Sequence, residues 1–121
     1  MSRKNRMIFI FAFIIFLCSG TLVLYAFNQA DLQKLNSTNK CPKCDLSNAN
    51  LSKIDMYGAD LLGANLAGAN LSESAFEDAD LRGANLTGAN IKGTSFSGAK
   101  LSDTIWADGR KCKSGSIGKC K

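Results

Sequence analysis

Apolar residues return every five positions through half of this chain, and that period constrains the fold more than any other feature. In "ADLLGANLAGAN", Ala59 to Asn70, leucine recurs at Leu61 and Leu66 and alanine at Ala59, Ala64 and Ala69. An amphipathic helix repeats every 3.6 residues and a strand every 2, so neither alone explains a spacing of five.

Thirteen successive fives share one register. Their centres are Leu46, Leu51, Met56, Leu61, Leu66, Leu71, Phe76, Leu81, Leu86, Ile91, Phe96, Leu101 and Trp106, all apolar. Two residues before each centre the side chain is usually alanine and never charged, from Cys44 and Ala49 through Ala99 and Thr104. The other three positions are mostly Asp, Asn, Ser, Lys, Glu or Gly. Glycine stands two residues after the centre in seven of the thirteen. A short extended piece places the centre and the residue two before it on one side, because strand side chains alternate. One bulky and one small side chain then point inward. The remaining residues make a turn, favoured by Gly and Asn because both tolerate positive φ. Repeated turns wind a solenoid. One unit cannot bury its leucine, whereas stacked coils can.

A second period of twenty lies over the first. Met56, Phe76 and Phe96 are twenty apart, and no other centre is Met or Phe. Ile54, Ser74 and Thr94, just before them, are non-alanine at the same interval. Asn50, Asn70 and Asn90 form another such row. Four fives per coil would stack each set along one wall. Lys53 would then lie under Glu73 as a candidate ion pair between coils, with Asp60, Asp80 and Lys100 in a further column.

The runs "GADLLGANLAGANL" and "DADLRGANLTGANI" resemble the pentapeptide-repeat family, whose common pattern is A(D/N)LXX, over residues 44–106. The resemblance implies an all-β solenoid, a right-handed quadrilateral β-helix with four repeats per coil. Thirteen repeats make just over three coils, ~15 Å tall at ~4.8 Å between paired strands. The flanking cysteine segments also resemble those of small exported bacterial members of the family.

The organisation outside the repeats is read from composition. "SRKNR" precedes 21 residues without a charge, Met7 to Phe27. That length spans a bilayer, and the basic flank predicts the N-terminus inside with the remainder exported. Residues 1–27 read either as a signal peptide cleaved near Ala26 or as a retained membrane anchor. Residues 28–43, with Leu32 and Leu35, read as an N-terminal cap of one or two helical turns. Residues 107–121 read as a C-terminal basic cap in which Trp106 plugs the last coil and Ile117 is the other large apolar anchor. Solenoids require such caps because their ends expose core and unpaired backbone.

The +5 net charge divides into +3 before the apolar run, +2 over 28–44, −4 over 45–106 and +4 over 107–121. The basic balance thus belongs to the ends, and the repeats offer no basic patch with interleaved aromatics, so no nucleic-acid partner is expected. The chain has no histidine. A Ser-His-Asp or Cys-His set is therefore excluded, no phosphate-cradling loop is present, and neither catalysis nor a cofactor is expected. Apart from Cys18, the cysteines form two close pairs, Cys41 with Cys44 and Cys112 with Cys120. In an exported chain such pairs read as disulfides; structural thiols and a metal or redox site are the alternatives. These features point to a non-enzymatic structural or protein-interaction module of the cell envelope. Its partner is an unidentified protein, a second copy, or the membrane through residues 7–27 if they are retained. The alternative is a DNA mimic that binds a type II topoisomerase, an activity found among pentapeptide-repeat proteins.

Overall fold

The structure, a computed structural model, describes residues 27–121. The expected signal or anchor helix lies outside the described residues. Among those described, no helix is long and apolar enough to cross a membrane.

Parallel pairing joins residues twenty apart. Asp45 pairs with Asn65 and Asn65 with Asn85; Asn50, Asn70 and Asn90 form a second column; Asp55, Ala75 and Ser95 a third; Lys40, Asp60, Asp80 and Lys100 a fourth. Five-residue units paired at this interval give four walls per coil. Each wall contributes one paired residue, so the pairing belongs to the coil rather than to long strands. In one such step the Leu46 N–H donates to the Asn65 carbonyl and the Asn65 N–H to the Cys44 carbonyl, both at 2.8 Å.

Each corner turns at the residue two after the centre. From Lys43 (φ 59°) to Asp103 (φ 61°) this position is left-handed in every unit, whether occupied by glycine or by Asn48, Lys53, Glu73 or Asp78. The regular turn geometry therefore begins with the unit centred on Cys41 and ends with the one centred on Leu101. Both limits fall one unit earlier than the sequence register. At Trp106 the positive φ slips to Gly109, because the chain there folds back as the Trp106 N–H donates to the Arg110 carbonyl at 2.8 Å.

The Asn and Asp residues before each centre have another role. They are absent from the left-handed set. Instead each side-chain oxygen accepts the backbone N–H two residues on: Asn65 from Ala67 at 3.1 Å, Asn85 from Thr87 at 3.0 Å, Asn90 from Lys92 at 3.1 Å. This is an Asx turn, which a short carboxylate or amide side chain closes locally. Asn just before a centre is thus selected by hydrogen bonding, whereas Asn48 at a corner is the one that adopts positive φ.

The interior is one continuous core of alternating leucine and alanine. Every centre from Leu46 to Leu101 is buried except Ile91, which with Trp106 is only partly covered. On the third wall Phe76 and Phe96 stack with ring centroids 5.8 Å apart, and Trp106 packs on Phe96 at 5.1 Å, tilted by 60°. The hydroxyl of Ser74 donates to the Leu51 carbonyl and accepts the Ile54 N–H, standing in for the turn bond that links centre to following alanine elsewhere. Thr94 and Thr104 donate likewise to the Leu71 and Leu81 carbonyls, both at 2.7 Å.

At the N-terminal end, helix α1 (Gln29–Thr38) covers the first coil. Asn28 caps it by accepting the Ala30 N–H at 2.9 Å, and Asn39 ends it at φ 57°. Leu35 is buried under it, with Phe27 and Leu32 packed beside it. Asp45 has no coil below, and the cap supplies what is missing. Its N–H donates to the Asp31 carboxylate at 2.8 Å, and its carbonyl accepts the Asn28 N–H at 2.9 Å.

At the other end the tail returns antiparallel over the last coil, pairing Lys111 with Ile105 and Ile117 with Lys100. Ile117 is not the apolar anchor expected of it, since it is 60% exposed. The buried residues of the tail are Cys112, Ser116 and Cys120. In the paired register Ser116 faces inward, and its carbonyl accepts the Leu101 N–H at 2.8 Å, so Ile117 points outward.

Candidate functional site: the walls and ends of the solenoid

Because the interior is filled, only the walls and the ends can act on anything else. The four walls differ in charge. The wall of Asn65, Ala67, Asn85 and Thr87 carries no charge in its two middle coils. The third wall carries Asp55, Glu77 and Asp78 beside Tyr57, which is 61% exposed. The fourth mixes signs in the column Lys40, Asp60, Asp80 and Lys100. On it Arg82 grips Asp80 through two nitrogens, Nε at 2.8 Å and Nη2 at 2.6 Å. This bidentate hydrogen bonding holds the Asp80 carboxyl below its ordinary range, and the Arg82 guanidinium correspondingly above its own. The other ion pairs among the described residues are Arg110–Asp108 at 3.1 Å and Lys111–Asp103 at 3.7 Å. Lys53 and Glu73 do not join them. Both occupy left-handed corner positions, one coil apart, without an ion pair between their side chains.

The buried polar side chains are all committed to holding the coil. Ser47 donates to Asp45 at 2.6 Å, Ser74 and Thr104 to wall carbonyls, and Ser116 to the Lys113 carbonyl at 2.7 Å. None of the buried side-chain nitrogen or oxygen atoms among the described residues lacks a partner.

The four cysteines named from sequence fall into two pairs. Cys41 and Cys44 are bonded through their sulfurs, with Cα atoms 5.3 Å apart. Cys112 and Cys120 are bonded likewise at 4.9 Å. The first bridge sits in the opening coil under α1, and the second holds the tail on the closing coil, where the Cys112 carbonyl accepts from Asp103. The pairs are thus at opposite ends, and the geometry does not gather the four sulfurs into one site. A carboxylate oxygen of Asp31 lies within 4.8 Å of the Cys41 and Cys44 sulfurs. That carboxylate already serves the Asp45 N–H, and bridged sulfurs offer no thiolate.

One feature of the ends was not legible in the sequence. The tail covers the fourth and first walls of the last coil but not the second and third. In the coil below, the N–H groups of Leu71, Glu73 and Phe76 donate to the carbonyls of Asn90, Lys92 and Ser95. Their counterparts Ile91, Gly93 and Phe96 have no hydrogen-bond partner among the described residues, nor do the carbonyls of Ala89 and Thr94.

The model of pentapeptide repeats matches the chain over residues 44–83 and 64–103, with eight copies. None of the curated proteins matches. Among solved structures the chain is similar to HetL, a pentapeptide repeat protein involved in heterocyst differentiation regulation from the cyanobacterium Nostoc sp. strain PCC 7120. The identity is 37%, covering 60% of this chain and 32% of HetL, with a TM-score of 0.43. It is similar to the pentapeptide repeat protein Rfr23 from the cyanobacterium Cyanothece 51142, at 37% identity over 55% of this chain and 53% of that one, with a TM-score of 0.41. A third is alr5209, a pentapeptide repeat protein from Nostoc PCC 7120, at 32% identity over 62% of this chain and 75% of that one, with a TM-score of 0.29. The chain thus spans about a third of HetL and about half of Rfr23. Proteins of this kind wind right-handed β-helices and are generally non-enzymatic modules of protein interaction. The repeat register, the twenty-residue pairing and the family match together place the chain in the pentapeptide-repeat family.

Proposed function

We propose that this chain is a non-enzymatic structural or protein-interaction module of the cell envelope. Its repeat region stands outside the cytoplasm, and residues 7–27 either hold it at the membrane or are removed as a signal. The observation that carries the reading is a disulfide at each end of the solenoid, in a chain that opens with a basic flank and 21 uncharged residues. Disulfides persist in oxidising compartments, and the basic flank argues for export of the chain beyond the apolar run. Nothing in the walls favours mimicry of DNA: residues 45–106 carry only −4, and both ends of the solenoid are basic.

Thiol trapping in intact cells tests the reading. Alkylation before and after reduction should reveal Cys41, Cys44, Cys112 and Cys120 only after reduction, and fractionation should recover the protein with the envelope or the exported material. Recovery from the cytosol with all four thiols free would sink it.

A further inference from the structure

We propose that the fourth wall, continued by the returning tail, seats on an anionic lipid surface, with its lysines on the headgroups and Leu62 and Ile117 entering the boundary beneath them. This rests on reading the chain as a module of the cell envelope and names the surface that the module lies against.

Exposed aliphatic side chains single out this wall. Among the described residues the large exposed hydrophobics are Leu62, Ile117 and Tyr57. Leu62 stands two residues after Asp60, and side chains alternate along an extended piece, so both project outward from the fourth wall. Ile117 lies opposite Lys100 in the antiparallel pair that crowns the same column. Residues opposite each other in such a pair share a face, and Lys100 is exposed as well. Leu62 and Ile117 are three pairing steps apart, ~14 Å at ~4.8 Å a step. Arg82 and Ser102 fill the positions between them. Two isolated aliphatic side chains among polar ones make no groove for a protein side chain. A lipid surface needs none, because it takes apolar side chains singly while bases meet the headgroups.

The charge of the face favours anionic headgroups. The acids of the wall are Asp60, Asp80 and the corner Asp103, and two of these are occupied: Arg82 holds Asp80, and Lys111 lies 3.7 Å from Asp103. Lys40, Lys43 and Lys100 have no ion pair among the described residues, nor do Lys113, Lys119 and Lys121 of the tail. The other walls fit less well. Tyr57 sits on the third wall with Asp55, Glu77 and Asp78, so its exposed ring lies on a face that an anionic surface repels. The second wall sets Lys53 and Lys92 against Glu73, and the first is neutral in its middle coils.

The course of the chain brings the fourth wall to the membrane. Helix α1 underlies the first and fourth walls: the Asn28 N–H at its start donates to the Asp45 carbonyl, and the chain after it reaches Lys40 at the foot of the fourth column. The described residues begin at Phe27, the last of the 21 uncharged positions. A run held in the bilayer would start the solenoid beside these walls. The tail at the far end occupies the same two, so the solenoid can lie lengthwise on the lipid. The basic face then fixes an orientation that an anchor alone leaves free.

The test places full-length protein in bicelles that carry a gadolinium-chelating lipid and are either wholly zwitterionic or about one-third phosphatidylglycerol. In the anionic bicelles, relaxation enhancement at the amides of Leu62, Lys100 and Ile117 should be at least about threefold that at Asn70 and Glu77, on the second and third walls. In zwitterionic bicelles the walls should be equal. Raising sodium chloride from about 0.05 M to about 0.5 M should abolish the difference. Lys100→Gln combined with Lys119→Glu should do the same, and Ile117→Ser should reduce it at least about twofold, each without moving the melting temperature, because these positions are exposed. Equal enhancement on all walls in anionic bicelles, a preference that persists in zwitterionic ones, or lysine variants that keep it would each overturn the proposal. So would inorganic phosphate, at matched ionic strength, shifting the same amides as far as the lipid does, since that marks a site for a soluble anion. Recovery of the protein from the envelope with both bridges formed, but with no preference for the fourth wall, would keep the module reading and remove the lipid face.

Discussion

Asn65 and Leu66 are neighbours in sequence with opposite fates. Leu66 is fully buried, while Asn65 lies on the wall and serves its own turn. Leu66→Ala is therefore expected to cost about 2–5 kcal/mol in urea unfolding, as a core truncation with little room to collapse. Leu66→Asp should not fold, because it would bury a charge. Asn65→Ser, which keeps a side-chain acceptor, should stay within about 0.5 kcal/mol. Equal tolerance at both positions would contradict the inward and outward assignment. Ser74 gives a sharper test. Ser74→Ala removes the partner of the Ile54 N–H and of the Leu51 carbonyl, and should cost about 1–3 kcal/mol for groups left unsatisfied. Asp80 adds a dependence on acid. Its carboxyl is depressed in the folded state by Arg82, so the stabilisation is present above the unfolded pKa of aspartate and is lost as pH falls through the folded one. Arg82→Ala should move the Asp80 carboxyl carbon titration upward by NMR and abolish that part of the acid dependence.

Turns, caps and bridges are elements, and each depends on a few positions. The corner at Gly98 favours glycine because its φ is 70°, and a Cβ there would make the Asp78 carboxylate one coil below turn aside. At the N-terminal end the cap depends on Asn28 and Asp31, which supply Asp45 with the bonds a lower coil would give. At the C-terminal end the tail is held by the Cys112–Cys120 bridge over a short loop. Replacing both cysteines by alanine should lower stability by about 2–3 kcal/mol, from the entropy returned to the unfolded chain. It should also speed amide exchange at Leu101 and Asp103, which donate to the tail. Unchanged exchange at these two amides would show that the bridge does not hold the tail.

At the scale of the molecule, stability is a sum over coils, and register matters more than length. Deleting residues 61–80 removes one complete coil and rejoins Asp60 to Leu81 in phase, so all four columns continue. That variant should give a β-type far-ultraviolet spectrum and one cooperative, lower-temperature melt. Deleting only residues 61–63 breaks the period of five and turns the later inward residues onto the walls. It should fail to fold, although it removes far less chain. A three-residue deletion that melts higher than the twenty-residue one would refute the pairing.

The five-residue period by itself determined the inward pair of each unit, the corners, and through the spacing of Met56, Phe76 and Phe96 the number of walls. These were legible because a repeat prints one local geometry many times over, so the burial pattern and the backbone period coincide. The Asx turns lay in plain view as Asn and Asp, but their role depends on where the side chain points and not on residue type. Only the tertiary structure decided which residues close the ends. Leu35, Ser116 and the sulfur pairs are buried there while Ile117 is exposed, because an end is made once, by long-range contacts with no periodicity to announce them. For the same reason only the fold showed that the tail reaches two walls and leaves the backbone of the other two unpaired, since hydrogen-bond satisfaction belongs to the assembled coil and to no local stretch of sequence.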